Sequence, residues 1–154
     1  MAADCPTRRH VLEICGRSAV AAAVLPTVGS LLGCPTDPPD ETPDHEGWLA
    51  LTLDDYPELA DNGGMVVVDV VGEDLTLAVA RCTDDAFLAI DAICSHAQCT
   101  LANFDASVEE FGCPCHGSTF AADGEVVSGP ADVALTAFET AYDSDAATVH
   151  VKVT

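Results

Sequence analysis

Two short segments rich in cysteine and histidine constrain this chain more than any other feature. Residues 94–99 read CSHAQC, and residues 113–120 read CPCHGSTF. Thiolate sulfur and imidazole nitrogen are donors that suit zinc and iron-sulfur centres. The two segments therefore predict a metal centre whose ligands, Cys94, His96, Cys113 and His116, come from two loops.

The remaining cysteines of the two segments bear on the kind of centre. Two cysteines and two histidines also suit tetrahedral zinc, which stabilises many small domains. Cys99 and Cys115 lie inside the same segments, however, and six ligands are too many for one small ion. In an oxidising compartment Cys99 and Cys115 are expected to form a disulfide that joins the loops. Closing a loop of about 17 residues stabilises by roughly 3 kcal/mol in the chain-entropy model.

The segments resemble the two motifs of the Rieske family, C-x-H-x-x-C and C-P-C-H-G-S. The resemblance implies a 2Fe-2S cluster of the Rieske type. In such a cluster Cys94 and Cys113 would bind the inner iron, and His96 and His116 would bind the outer iron. The likeness extends more loosely over residues 48–154. A structural zinc domain remains the less favoured alternative.

The resemblance also assigns residues around the expected cluster. It is closest over residues 86–130, which end in a Gly-Pro pair similar to the family's proline loop. Ser118 stands where a hydroxyl donates to a bridging sulfide and stabilises the reduced state. Phe120 stands where high-potential members carry tyrosine, so an intermediate potential is expected. Ala97 and Gln98 replace the usual Leu and Gly of quinol-oxidising members, which argues against quinol oxidation.

A Rieske cluster implies a one-electron carrier rather than a stand-alone enzyme. Neutral imidazoles in place of two thiolates raise the reduction potential into a window of roughly −150 to +300 mV. We expect a free carrier or the small subunit of an oxidoreductase. Its redox partner would be a cytochrome or a larger oxidoreductase subunit. The alternative is the iron-sulfur subunit of a quinol-oxidising cytochrome bc complex.

The N-terminal region has the features of an export signal. Residues 7–12, TRRHVL, resemble a twin-arginine signal, and the apolar run over residues 18–32 is shorter than the roughly 20 residues of a membrane span. The sequence LLGC resembles a lipoprotein processing box, in which Cys34 would be acylated. Residues 1–33 are therefore predicted to be an export signal or, alternatively, an uncleaved membrane anchor. Residues 34–47, rich in Pro, Asp and Glu, predict an extended tether.

These features predict a membrane-associated domain on the outer, periplasmic or extracytoplasmic, side of a membrane. The net charge is −21, and from Cys34 onward only Arg81 and Lys152 oppose 24 acidic residues. Such a surface repels phosphate backbones, which excludes nucleic acid as a partner.

The folded domain is predicted to span residues 48–154 and to be all-β. Apolar or alternating runs separated by turn residues predict strands at 48–53, 65–71, 75–81, 86–93, 125–127, 135–142 and 147–153. Residues 56–60 predict one short helical turn. The pattern indicates an antiparallel sandwich or barrel, and the resemblance adds an inserted cluster-binding subdomain of two loops. Cys82, on a predicted strand, is expected to be a buried free thiol.

Overall fold

A computed structural model of the protein describes residues 47–154. The predicted export signal, the lipidation at Cys34 and the tether up to residue 46 lie outside the described residues. Within residues 47–154 no helix has the length and apolar character needed to cross a membrane.

The described chain is antiparallel β structure with one short 3-10 helix. The helix, Pro57–Ala60, coincides with the predicted helical turn. The strands are β1 Trp48–Thr52, β2 Met65–Asp69, β3 Thr76–Thr83, β4 Ala86–Asp91, β5 Asn103–Asp105, β6 Glu110–Gly112, β7 Thr119–Ala121, β8 Val126–Ser128, β9 Ala137–Asp143 and β10 Thr148–Lys152.

The strands form two sheets. The larger has six strands in the order β1-β10-β9-β4-β3-β2, and the smaller has four in the order β5-β6-β7-β8. Every strand pairing within residues 47–154 is antiparallel, and β4 pairs directly with β9. The chain therefore leaves the large sheet after β4, builds the small sheet, and returns at β9. This insertion confirms the predicted all-β fold with an inserted subdomain.

Alternation of buried and exposed side chains along the strands produces the core of the large sheet. In β2 and just beyond it, Val66, Val68 and Val70 are buried, whereas Val67 and Val71 are exposed. These buried side chains join one apolar cluster with residues from the other strands of the sheet. β-Branched residues at period two favour such half-buried strands, which is why the sequence pattern predicts them correctly.

A second apolar cluster lies beneath the inserted subdomain. It joins inward-facing residues of β3 and β4 to Phe104, Phe111 and Phe120 of the small sheet. Phe111 and Phe120 face each other across the β6–β7 register, and both are fully buried. The three-residue strands of the small sheet thus owe their stability to shared apolar burial.

Arg81 on β3 fastens the short helix to the large sheet. Its guanidinium donates to the carbonyls of Leu59 and Ala60 at 3.0 and 2.9 Å, and also to the carbonyl of Asp84. The same group lies 5.2 Å from the centre of the Phe87 ring. The planar donor fork of arginine permits this combination of carbonyl bonds and ring contact.

Cys82 does not match its prediction. It lies on β3 and is buried, as expected, but it takes part in a disulfide. The prediction of a free thiol at Cys82 is therefore wrong. Strand periodicity predicts the burial of a side chain and contains no information on its covalent partner.

Candidate metal centre

The first predicted segment forms a loop, residues 94–99, that follows β4. Asp91 at the end of β4 accepts a hydrogen bond from the N–H of Ile93 at 2.8 Å, which turns the chain out of the sheet. The N–H of Cys94 donates to the carbonyl of Cys99 at 2.9 Å, and the N–H of Gln98 donates to the carbonyl of Cys94 at 2.9 Å. We refer to residues 94–99 as the first loop.

The second segment forms a loop, residues 113–118, with the same backbone pattern. The N–H of Cys113 donates to the carbonyl of Ser118 at 2.9 Å, and the N–H of Gly117 donates to the carbonyl of Cys113 at 3.1 Å. The fifth residue of each loop has a positive φ, 56° at Gln98 and 74° at Gly117. The two loops, called the first and second loop below, are therefore local copies of one turn.

A disulfide joins the two loops. Cys99 and Cys115 are bonded, with their Cα atoms 6.4 Å apart and a sequence separation of 16. The predicted pairing of these two cysteines is confirmed. The bond restricts how far the loops separate in both the folded and the unfolded chain.

The first residues of the two loops, Cys94 and Cys113, lie side by side. Cys94 and Cys113 are 1% and 4% exposed and have free thiols. Burial raises the pKa of Cys113, and the adjacent Cys94 raises it further, although backbone N–H groups of Cys115 and His116 donate to the sulfur and oppose the shift. A metal that takes these groups as thiolates must displace their protons.

The two histidines lie at the surface. His96 and His116 are exposed, and their ring centroids are 4.8 Å apart with an interplanar angle of 88°. The structure thus arranges the four predicted ligands as two pairs, two buried sulfurs and two exposed imidazoles. It places His150, on β10 of the large sheet, away from them.

Ser118 and Phe120 continue from the second loop into β7. Ser118 is fully buried, and its Oγ accepts a hydrogen bond from the N–H of Ala131 at 3.1 Å. Since this oxygen accepts from Ala131, its own proton is available to donate elsewhere. Phe120 is fully buried in the apolar cluster that also contains Cys94 and Cys113.

A third segment, residues 129–135, packs against both loops. A Cβ built on Gly129 would lie 2.4 Å from the Cα of Ser118, so the backbones touch there. Ser95 of the first loop donates from its Oγ to the carbonyl of Val133 at 2.6 Å. The sequence reasoning missed Ser95 and Asp91, because a single serine or aspartate beside a motif has no distinctive pattern.

Comparison with known proteins assigns the family. The family model described as "Rieske [2Fe-2S] domain" matches residues 50–139, more than half of the chain. The chain belongs to the Rieske [2Fe-2S] domain family. The cofactor of this Rieske domain is accordingly a 2Fe-2S cluster.

Relatives of this Rieske domain include iron-sulfur subunits of cytochrome b6-f complexes. The Rieske domain is 46% identical over 66 residues to the cytochrome b6-f complex iron-sulfur subunit of Microcystis aeruginosa, covering 43% of this chain and 32% of that one. It is 35% identical over 101 residues to the same subunit of Prochlorococcus marinus (strain MIT 9303), covering 64% of this chain and 51% of that one. The chain therefore spans about a third to a half of the length of these relatives.

A solved structure shares the Rieske fold. A chain from a complex of reduced oxygenase and oxidized ferredoxin in carbazole 1,9a-dioxygenase superposes with a TM-score of 0.58 at 27% identity. The match covers 70% of this chain and 94% of that chain. This similarity agrees with the antiparallel architecture described above.

The donor set of this Rieske domain fits a two-iron cluster. Within residues 47–154 no three His, Cys, Asp or Glu side chains converge as the ligands of a single metal ion do. The donors instead form two pairs, with two sulfurs inside and two imidazoles outside. A cluster with one pair of ligands on each iron requires that division.

Proposed function

We propose that Cys94 and Cys113 hold the inner iron of the 2Fe-2S cluster, and that His96 and His116 hold the outer iron. The observation that carries this assignment is the separation of the donors into a buried cysteine pair and an exposed histidine pair. A tetrahedral zinc site would instead need the four donors around one point. The match of residues 50–139 to the Rieske [2Fe-2S] family model favours the cluster over structural zinc.

We propose that the protein transfers single electrons through this site. When bound, the cluster supplies a reversible one-electron couple. The chain buries the two cysteine sulfurs and leaves the two imidazole rings at the surface. The imidazoles therefore offer an electron the shortest route to a partner. Ser118 offers a buried hydroxyl proton to the site, which favours the reduced, more negative state.

The redox partner is proposed to be a protein, either a cytochrome or a larger oxidoreductase subunit. Both loops lack charged side chains, which leaves the histidine end open to apolar contact. The site of action is proposed to be the outer side of a membrane, with attachment through the N-terminal region. The disulfide between Cys99 and Cys115 supports export, because such bonds persist in oxidising compartments.

A second candidate function is that of the iron-sulfur subunit of a quinol-oxidising cytochrome bc complex. The names of the relatives, cytochrome b6-f iron-sulfur subunits, favour it. Ala97 and Gln98, in place of the family's usual Leu and Gly, speak against it. Purification from native membranes distinguishes the two: retention of a cytochrome b and inhibition by quinone-site inhibitors would support the second candidate.

An EPR spectrum of the reduced, reconstituted protein tests the site. We expect the rhombic signal of a Rieske cluster and two irons per chain. His116→Ala should abolish the signal, whereas the matched variant His150→Ala, on β10 of the large sheet, should retain it. A silent wild-type sample that contains stoichiometric zinc would overturn the assignment.

A further inference from the structure

We propose that the disulfide at Cys82 joins β3 to a cysteine of the N-terminal region, which would be Cys5, Cys15 or Cys34. Such a bond is incompatible with a mature protein that has lost residues 1–33 and carries a lipid on Cys34. This inference goes beyond the proposed function and does not depend on it, because Cys82 is not among the proposed ligands of the cluster.

The number of cysteines limits the partner of Cys82. The chain has eight cysteines, and five of them lie in residues 47–154. Four of these five are accounted for, because the disulfide between the loops takes two and the two proposed ligands of the inner iron have free thiols. Cys82 is the fifth, and it takes part in a disulfide. The second sulfur of that bond therefore comes from one of the three cysteines that precede residue 47.

The backbone at Cys82 departs from the regular ladder of the large sheet. Two residues of β3 pair here with adjacent residues of β4: Arg81 with Phe87, and Thr83 with Ala86. Cys82, between them, is therefore the extra residue of a β-bulge. A bulge twists the strand and re-aims its side chains. Because β3 ends one residue later, Cys82 lies at the margin of the sheet, where a segment from outside the sheet can reach it.

The bond at Cys82 forms by oxidation of two thiols. Cys82 and its partner together lose two protons and two electrons, and a disulfide of the compartment's thiol-oxidising system takes them up and becomes two thiols. The disulfide between the loops needs the same oxidising conditions, so both bonds are expected in one compartment. Cys82 is buried, and burial protects a disulfide from reductants, so the bond should persist once it has formed.

Lipoprotein processing would remove the sulfur that this bond needs. In a chain processed at the predicted box, residues 1–33 are lost and the sulfur of Cys34 carries the lipid. No cysteine of the N-terminal region would then be left to bond Cys82. If the partner is Cys34, its sulfur cannot take the lipid. If the partner is Cys5 or Cys15, the residues around that cysteine stay attached to β3 even after cleavage of the chain.

Peptide mapping of the exported full chain tests the bond. Free thiols are first blocked with iodoacetamide, and the unreduced protein is then digested at acidic and basic residues. This digestion places each of the three N-terminal cysteines on a separate peptide. We expect one cross-linked pair that joins the Cys82 peptide to one of these three, and a second pair that contains the disulfide between the loops. Reduction should separate both pairs.

Serine variants identify the partner. Only one of Cys5→Ser, Cys15→Ser and Cys34→Ser should make Cys82 accessible to alkylation. The other two should keep the cross-link, so they serve as matched controls. Cys82→Ser should in turn make the same N-terminal cysteine accessible to alkylation, while the disulfide between the loops persists.

Three results in the wild-type protein would overturn the inference. These are alkylation of Cys82 without reduction, a chain that begins at an acylated Cys34 with residues 1–33 absent, and a cross-link between the Cys82 peptides of two chains. The wild-type map decides the question even where a serine variant does not fold. The EPR spectrum tests the cluster separately, so a failure of this inference would leave the proposed function standing.

Discussion

At the scale of single residues, a substitution of Phe120 is expected to change the reduction potential. Phe120→Tyr would add a hydroxyl to the group of buried apolar side chains that also contains Cys94 and Cys113. A hydrogen bond to a ligand sulfur stabilises the reduced state, and about 1.4 kcal/mol of such preference raises a one-electron potential by about 59 mV. We therefore expect an upward shift of tens of millivolts in voltammetry.

The matched control for this prediction is Phe104→Tyr. Phe104 belongs to the same apolar cluster but lies on β5, and it is 9% exposed, so a hydroxyl there can reach water. It should leave the potential unchanged. An unshifted potential in a folded Phe120→Tyr variant would refute the account of Phe120.

Gln98 provides a second prediction at this scale, on stability. Its φ of 56° is a conformation that glycine adopts without steric cost, as Gly117 does in the second loop. Relief of this strain in Gln98→Gly is partly offset by the greater freedom of glycine in the unfolded chain. We expect a net gain of up to about 1 kcal/mol in urea unfolding.

The neighbouring variant Ala97→Gly separates strain relief from a general effect of glycine. Ala97 is not among the residues with positive φ, so glycine there only increases unfolded-state entropy. It should destabilise the protein. Equal losses of stability in both variants would contradict the prediction for Gln98.

At the scale of elements, the contact between the 129–135 segment and the second loop is tested by Gly129→Ala. The added Cβ would meet the Cα of Ser118 at 2.4 Å, so the segment and the loop must separate. We expect a loss of about 2–3 kcal/mol in stability, in the range of overpacked cores, and faster iron loss to chelators.

Gly72→Ala is the matched control for this contact. Gly72 has a φ of +90°, close to the +97° of Gly129, yet a Cβ there meets nothing within 4 Å. Both variants carry the same backbone strain, and only Gly129→Ala adds a clash. Comparable losses in the two variants would show that strain rather than contact explains the effect.

The sequence predicts some of these elements much better than others. All seven predicted strands are present, and in six of them five to eight residues of alternating or apolar character specify the strand. The seventh, Val126–Ser128, is a three-residue strand predicted from a pair of valines after a turn. Three strands of the small sheet, Asn103–Asp105, Glu110–Gly112 and Thr119–Ala121, were not predicted. Three residues are too few to show a period of two, and their pairing depends on a core that forms only in the folded domain.

The candidate site likewise has contacts that the sequence predicts and contacts that it does not. Motif spacing predicts which residues approach each other, and the structure brings Cys94 next to Cys113 and His96 next to His116. The attachment of Ser95 to Val133 joins residues 38 positions apart in sequence. A contact over that distance follows from tertiary packing, which local propensity does not encode.

At the scale of the whole molecule, the charge distribution predicts a strong dependence of stability on salt. Residues 47–154 contain 19 acidic residues and two cations. Within this described part of the chain, Arg81 donates to carbonyls and Lys152 lies 5.7 Å from the Trp48 ring, and two cations are far too few to neutralise 19 carboxylates. Most of the carboxylate repulsion is therefore left to counterions.

Raising the ionic strength from 0.1 to 1 M shortens the Debye length from about 10 to about 3 Å. Repulsion between the exposed carboxylates then weakens, and we expect the melting temperature at pH 7 to rise by several degrees.

Asp54, Asp74 and Asp145 are exposed and make no side-chain hydrogen bond among those described, so they are suitable positions for charge reversal. The triple variant Asp54→Lys, Asp74→Lys and Asp145→Lys should melt higher at low salt and respond less to added salt, because fewer like charges remain to be screened. Asparagine at the same three positions should give a smaller change in the same direction. A melting temperature independent of salt in the wild-type protein would mean that carboxylate repulsion contributes little to its stability.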